Sequence, residues 1–144
     1  LREMYQTLVR EFQGLRSEKF VSPYGDKRKA QIIISITEKD HQGVLRAAEA
    51  GHISYRENFL GGCAKLGLPC KLGGISNVSG CMGFGSRKPC EDLLLDREKR
   101  PVVVALHDIA VAKKAEAEPG SALSDSLQAQ IESTERALNV IDTV

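Results

Sequence analysis

Tryptophan is absent from this chain of 144 residues, which contains only four phenylalanines and three tyrosines. A folded core must therefore be built mainly from leucine, isoleucine, valine and alanine, because few large aromatic side chains are available. An excess of either charge is absent too, since 20 basic and 19 acidic residues give a formal net charge of +1. This balance gives no electrostatic reason to expect a nucleic acid partner or an anionic membrane surface.

Long apolar runs are also absent. The longest run, Val102–Leu106, is far shorter than the roughly 20 residues that cross a bilayer as a helix, so no membrane span is predicted. A charged fraction of 27% is ordinary for a globular protein. Length and composition together predict a single domain over residues 1–144, and an extended linker chain over the same residues is kept as the alternative.

Acidic side chains are missing from the whole stretch between Gly61 and Cys90, which holds all four cysteines and eight of the 13 glycines. We interpret residues 61–90 as a long irregular loop between a helical part at 1–60 and a helical C-terminal part at 91–144. Loops of this length inside a compact domain are uncommon, and they are usually functional or disordered. The apolar residues in this one argue against disorder.

Apolar residues recur at helical spacing near both ends of the chain. The N-terminal face comprises Leu1, Met4, Tyr5, Leu8, Val9, Phe12 and Leu15, which predicts a helix that ends near Ser17. The C-terminal seam comprises Leu127, Ile131, Thr134, Leu138 and Ile141, which predicts a helix capped by Ser121 or Ser124. A seam this narrow packs on its own domain more often than on a partner.

The middle of the chain is less regular. Residues 31–37 fit either a short buried strand or a helix extended back to Lys27, and the pattern leaves both open. Helices are predicted at 41–50, at Ile53–Leu60, and from Val102 to the break at Pro119-Gly120. The expected fold class is therefore mainly α, with several amphipathic helices, a long glycine- and cysteine-rich central loop, and at most one short strand.

The four thiols permit several kinds of chemistry. An even cysteine count suits disulfides, which require an oxidising compartment, and the sequon at Asn77–Ser79 would suit secretion. Structural zinc sites bring their ligands in close pairs. Here six, ten and eight residues separate successive cysteines and no histidine lies between them, so no metal site is predicted.

Thiol catalysis is a further option, centred on Cys90. Arg87 and Lys88 precede it and a helix is conceivable just after it, and nearby cations and a helix N-terminus lower a thiol pKa. No base lies near it in sequence, however, and no acid/base pair or triad is recognisable elsewhere. His107, in an apolar stretch, is interpreted as a satisfied core residue. Catalytic residues are therefore not predicted.

Covalent attachment of a linear tetrapyrrole (a bilin) is the remaining option, because such a group bonds to a single exposed thiol. Its propionates favour cations, arginine above all, and its pyrrole nitrogens favour a nearby carboxylate. The candidate thiols are Cys63, Cys70, Cys81 and Cys90. The candidate polar contacts are Arg87, Lys88 and Asp92, all close to the last cysteine.

The stretch Ala47–Leu66, "AAEAGHISYRENFLGGCAKL", resembles a segment of the phycobilisome rod linkers. In that family a glycine turn after one helix leads into a second helix that contains arginine and phenylalanine, which Gly51, Arg56 and Phe59 would match here. Red-algal phycoerythrin gamma subunits occupy the same position in the rod and carry bilins on scattered cysteines, an arrangement similar to the four thiols of this chain.

This resemblance implies a non-enzymatic linker subunit of a light-harvesting assembly. Its cofactor would be a covalent bilin, its partners would be phycobiliprotein discs, and it would lie at the stromal face of the thylakoid in a chloroplast. The alternative is a disulfide-stabilised helical binding module that is secreted or in another oxidising compartment. A thiol enzyme that uses Cys90 is the third reading.

Overall fold

The computed structural model describes residues 6–7, 10, 12–37, 53–57, 60–66 and 81–143. In chain order the elements are β1 (Phe20–Val21), α1 (Asp26–Thr37), β2 (Ile53–Glu57), β3 (Gly61–Leu66), β4 (Leu93–Asp96), a 3-10 turn (Arg97–Lys99), α2 (Arg100–Glu116) and α3 (Ala122–Asp142). The described part is mostly helical, which confirms the mainly α prediction at that level. It also contains a four-stranded sheet, which the prediction of at most one strand missed.

The strands pair in the order β1-β4-β3-β2, and every pairing is antiparallel. Strands β2 and β3 form a hairpin in which Ile53 lies opposite Leu66 and Glu57 opposite Gly62. The predicted helix at Ile53–Leu60 is therefore wrong, and so is the assignment of residues 61–66 to an irregular loop. Apolar and polar residues alternate from Ile53 to Arg56, which is the period of a strand rather than of a helix.

Strand β4 lies inside the sheet, with Leu95 opposite Val21 of β1 on one side and opposite Gly61 of β3 on the other. A Cβ atom at Gly61 would lie 2.2 Å from the Leu94 carbonyl oxygen and 2.6 Å from the Asp96 nitrogen. The Asp96 N–H donates to the Leu60 carbonyl at 2.9 Å. The chain thus enters β3 against the backbone of β4, where only a residue without a side chain fits.

Residues 31–37 are helical, so the strand alternative for them is wrong. They form the second half of α1, whose first turn contains Asp26 and which follows Gly25 at φ 93°. Ile32 and Ile33 are both buried. Their β-branched side chains favour strands only weakly, and burial of one helix face overrides that preference.

The N-terminal prediction is confirmed where the structure describes it. Gln6, Thr7, Arg10 and residues 12–14 are helical, and the chain turns at Leu15–Arg16, close to the predicted end near Ser17. Phe12 and Leu15 are buried, as their positions on the apolar face require. The predicted helix at 41–50 and loop residues 67–80 lie outside the described residues.

The C-terminal half is a helical hairpin of α2 and α3. Pro101 lies in the first turn of α2, where its missing N–H has no cost, and Gly120 at φ 79° connects the two helices. Ser121 caps α3 by accepting a hydrogen bond from the Ser124 N–H at 3.1 Å. The predicted capped terminal helix is confirmed. Its seam packs inward, because Leu127, Ile131, Thr134 and Ile141 are all buried.

The main core forms where α3 crosses β4. Leu93, Leu94 and Leu95 are at most 1% exposed, and Val103, Ala137 and Ile141 bury helical surface in the same region. The predicted C-terminal part at 91–144 is helical from Arg100 onward but begins with this strand. Among the described helices, none has the length and apolar character needed to cross a membrane.

Two arginines that follow β4 connect the segment before β1 and the last turn of α3 to the core. The Arg97 guanidinium donates to the carbonyls of Glu18, Ile141 and Thr143, and its backbone N–H donates to the Lys19 carbonyl at 2.7 Å. The Arg100 guanidinium makes two hydrogen bonds to Asp142, at 2.8 and 3.0 Å. The last turn of α3 is therefore fixed to the start of α2 and to the N-terminal segment.

Replacement of Gly61 by alanine should destabilise the fold by about 3 kcal/mol, because the new methyl group would overlap the β4 backbone. Gly14→Ala is the matched control: nothing lies within 4 Å of a Cβ at this helical residue, so alanine should be neutral or stabilise by up to about 1 kcal/mol. Urea denaturation measures both. Equal midpoints for the two variants would contradict the close packing of β3 on β4.

Acidification should weaken the contact between α2 and α3. The hydrogen bond from Arg100 holds the pKa of Asp142 below its ordinary value. A lowered folded-state pKa stabilises the fold above the unfolded-state pKa, and this contribution disappears as the pH falls through the folded-state value. Asp142→Asn should therefore lose less stability on acidification than the parent chain. Glu118→Gln, in the exposed connection between the helices, should follow the parent chain in urea titrations at each pH.

Candidate functional site

The residues from Cys81 to Cys90 form a compact loop, which we call the Cys81–Cys90 loop. The Cys90 N–H donates to the Cys81 carbonyl at 2.8 Å and closes it. A tight turn lies inside, where the Arg87 N–H donates to the Phe84 carbonyl at 2.9 Å. Because the Leu93 N–H in turn donates to the Cys90 carbonyl at 3.3 Å, the loop leads directly into β4. The conceivable helix after Cys90 is thus replaced by a turn and a strand.

Gly83 permits the tight path of this loop. Its φ of +76° lies in the left-handed region that residues with a side chain rarely adopt. A Cβ atom there would lie 2.4 Å from the Arg87 carbonyl oxygen and 2.9 Å from the Lys88 carbonyl carbon. The two arms of the loop, residues 81–83 and 87–90, therefore approach each other as closely as their backbones allow.

Side chains of helix α3 hydrogen-bond to backbone carbonyl groups of the loop. The hydroxyl oxygen of Ser133, which is fully buried, lies 2.7 Å from the Gly83 carbonyl oxygen. The Arg136 guanidinium donates to the Arg87 carbonyl at 2.7 Å and also to the Gly85 carbonyl. Hydrogen bonds from a charged donor are stronger than neutral ones, so Arg136 is the main link between loop and helix.

The other arm of the loop is held by α1 and the turn before it. The Tyr24 hydroxyl donates to the Pro89 carbonyl. Arg28 donates to the Glu91 carbonyl at 3.0 Å and pairs with Asp92 at 3.3 Å. Burial, followed by the negative charges of Glu91 and of ionised Cys90, raises the pKa of Tyr24. The phenol therefore remains a neutral donor.

The two described thiols differ in their access to solvent. Cys81 is 9% exposed and belongs to the core cluster that includes Leu60 and Met82. Cys90 is half-buried and packs against the same cluster from the outside. Both residues are present as thiols. Of the two, only Cys90 can be reached by a reagent without opening the core.

Charged residues lie close to the accessible thiol along the chain. Arg87 and Lys88 are exposed at the loop tip, and the Arg87 guanidinium lies 5.6 Å from the centre of the half-buried Phe84 ring. Asp92 is half-buried, with its carboxylate against Arg28. The loop therefore offers two cations and one paired carboxylate within three residues of Cys90.

Most of the predicted site residues come together in this loop. The structure unites Cys81, Arg87, Lys88, Cys90 and Asp92 on one segment and its entry into β4. The backbone of Cys63 lies in β3 opposite Leu93, next to the end of the loop. Cys70 lies outside the described residues.

Four positioning residues were missed: Tyr24, Arg28, Ser133 and Arg136. They lie about 50 or more residues from their loop partners. Their spacing follows no local pattern, so sequence alone contained no signal for them.

Metal binding has no support in the described part of the chain, where no group of three histidine, cysteine or acidic side chains is arranged around one point. His107 is satisfied by carboxylates rather than buried in the core. Its Nδ1 lies 3.4 Å from Asp108 and its Nε2 lies 3.2 Å from Glu135 of α3. It thus acts as a bridge between α2 and α3.

No protein-family model, curated protein or solved structure matches the chain. The resemblance of residues 47–66 to the rod linkers therefore stays a prediction. Within that stretch, Ile53–Glu57 and Gly61–Leu66 are strands, whereas the resemblance implies a helix around Arg56.

Arg136→Ala should loosen the Cys81–Cys90 loop, because two carbonyls lose a charged donor at a cost of about 1–3 kcal/mol. Amide hydrogen exchange should accelerate at residues 83–88, and alkylation of Cys90 by N-ethylmaleimide should accelerate with it. Arg100→Ala, which removes an exposed ion pair with Asp142, the last residue of α3, is the matched control and should leave both rates unchanged. Identical rates in the two variants would exclude Arg136 as the link.

Proposed function

We propose that this chain is a non-enzymatic structural subunit of a light-harvesting assembly and carries a bilin on Cys90. One arrangement carries the proposal: a half-buried thiol follows two exposed cations, Arg87 and Lys88, within three residues on a backbone that α3 holds in place. The resemblance of residues 47–66 to the phycobilisome rod linkers supports the kind of assembly. The expected location is the stromal face of the thylakoid.

The residues around Cys90 suit a flat dianionic ligand. The sulfur would form the thioether, while Arg87 and Lys88 are a cation for each of two propionates. Phe84 adds half-buried aromatic surface under the Arg87 guanidinium. Asp92, two residues beyond the thiol and oriented by Arg28 at 3.3 Å, is the carboxylate available to pyrrole nitrogens. A bound bilin would supply absorption of visible light and transfer of the excitation energy.

A fixed loop matters for that role because energy transfer depends on pigment orientation. The carbonyls of Gly83, Gly85 and Arg87 are held by α3, and the carbonyl of Pro89 by Tyr24. Arg28 holds the Glu91 carbonyl on the other side, so the attachment residue lies between anchored backbone groups.

The two described candidate thiols differ in how deeply they are buried. Cys81 is 9% exposed within the main core cluster, so attachment there would require the core to open. Cys90 is the attachment residue that the described surroundings favour. Cys63 and Cys70 remain further candidates for additional pigments.

A linker also needs surface for its partner proteins, which we propose to be phycobiliprotein discs. Apolar side chains are exposed on the outer faces of the helical hairpin: Val102, Ile109, Val111 and Leu123 are 41–61% exposed. The seam of α3 packs inside its own domain and is not available to partners. The side of α2 that presents Val102 and Ile109, seven residues apart, is therefore the partner surface in this proposal.

The proposal is tested on the chain isolated from its native cells. The denatured chain should absorb visible light and exceed the sequence mass by at least one tetrapyrrole, and both properties should survive a thiol reductant, because thioethers are not reduced. Trypsin cuts after Lys71, Arg87 and Arg97 but not before Pro89, so Cys81 and Cys90 fall in different peptides. The pigment should be on peptide 88–97.

Peptide 72–87, which contains Cys81, is the internal control and should have its unmodified mass. A colourless chain without excess mass would reject the pigment proposal. Pigment on peptide 72–87 in place of 88–97 would reject the assignment to Cys90.

A further inference from the structure

Backbone geometry brings the two cysteines of the loop within disulfide distance. The hydrogen bond from the Cys90 N–H to the Cys81 carbonyl oxygen measures 2.8 Å. With standard covalent lengths on either side of it and a trigonal carbonyl carbon, the two Cα atoms cannot be more than about 6.7 Å apart. Disulfides usually join Cα atoms at roughly 4.4–6.8 Å. The pair therefore meets the distance condition without any movement of the backbone.

The side chains of the two cysteines also pack against the same apolar cluster. Cys81 belongs to the buried cluster formed with Leu60, Met82 and Leu93, and Cys90 packs against that same cluster. Close backbones with side chains pointing apart cannot be bridged. Shared packing against one apolar cluster brings both side chains to the same part of the core.

We infer that Cys81 and Cys90 form a reversible intrachain disulfide that closes the Cys81–Cys90 loop. The inference does not rest on the proposed function, because it concerns the chain without pigment. The two states exclude each other, since one Cys90 sulfur cannot form a disulfide and a thioether together. Oxidation would therefore protect the attachment thiol, and reduction would expose it.

Thiol–disulfide exchange with a small disulfide such as oxidised glutathione accounts for the reaction. The thiolate of Cys90, the more accessible of the two, attacks one sulfur of glutathione disulfide and releases one glutathione thiolate. The thiolate of Cys81 then attacks the Cys90 sulfur of this mixed disulfide and releases the second. Two cysteine thiols become one disulfide, glutathione disulfide is reduced to two glutathiones, and these take up the two protons.

The loop is prepared for this bond by contacts that do not involve sulfur. Gly83 allows the two arms to approach, and Ser133 and Arg136 fix the carbonyls between them. The disulfide would thus join residues that the thiol form already holds together. Its main effect is to restrict the unfolded chain, and we expect a melting temperature higher by about 5–10 °C.

The test uses the full pigment-free chain, equilibrated in glutathione buffers from reducing to oxidising and then alkylated. All four cysteines fall in different tryptic peptides, 57–65, 66–71, 72–87 and 88–97. Under non-reducing conditions the oxidised chain should yield 72–87 linked to 88–97, and the link should disappear on reduction. The melting temperature should rise with the linked fraction.

Cys81→Ser is the matched control. It should yield only a glutathione adduct on peptide 88–97 and no increase in melting temperature on oxidation. The inference is overturned if Cys81 and Cys90 are both alkylated in the most oxidising buffer, or if the parent chain accumulates only glutathione adducts. A dominant link to Cys63 or Cys70 would overturn it equally. Each of these results would leave the pigment proposal to its own test on native material.

Discussion

The pairing of β4 with both of its neighbours is the contact on which the rest of the structure depends. Leu95 faces Val21 of β1 and Gly61 of β3 across backbone hydrogen bonds. The leucines of the strand are at most 1% exposed, and Leu93 and Leu95 share a core cluster with Ala137 and Ile141 of α3. The Cys81–Cys90 loop ends where this strand begins, and Arg97 and Arg100 follow where it ends. The positions of the loop, of α2 and of the last turn of α3 all follow from that short strand.

The helices at the two ends were predictable because their signals are local. Apolar spacing of three and four residues, a serine cap at Ser121 and the break at Gly120 all lie within the elements that they define. The sheet was missed because its strands are short and their partners are distant in sequence. Alternation at Ile53–Arg56 was a visible but brief strand signal, whereas Leu93–Leu95 reads equally as a buried helix turn. Residues 31–37 show the converse, since burial of Ile32 and Ile33 on a helix overrides their strand preference.

The candidate site likewise has one part that sequence alone identifies and another part that depends on the fold. Its chemical groups, from Cys81 to Asp92, are contiguous, so composition alone could select this segment as the candidate. The environment of those groups is built by Tyr24 and Arg28 from one side and by Ser133 and Arg136 from the other. These contacts cross the whole chain, and only the fold specifies them. Burial of Cys81 against exposure of Cys90, which separates two otherwise similar thiols, is likewise a property of the fold.

The hydrogen bonds from α3 to the loop end on carbonyl oxygens, and every residue type has that group. Ser133 and Arg136 therefore hold the backbone of the loop in place, and their hydrogen bonds do not depend on which side chains stand at Phe84, Ser86, Arg87 and Lys88. Within the turn geometry that Gly83 imposes, those positions can exchange residues while the scaffold beneath them stays the same. Mutational drift can thus alter what the loop presents at its tip far faster than it can alter where the tip lies.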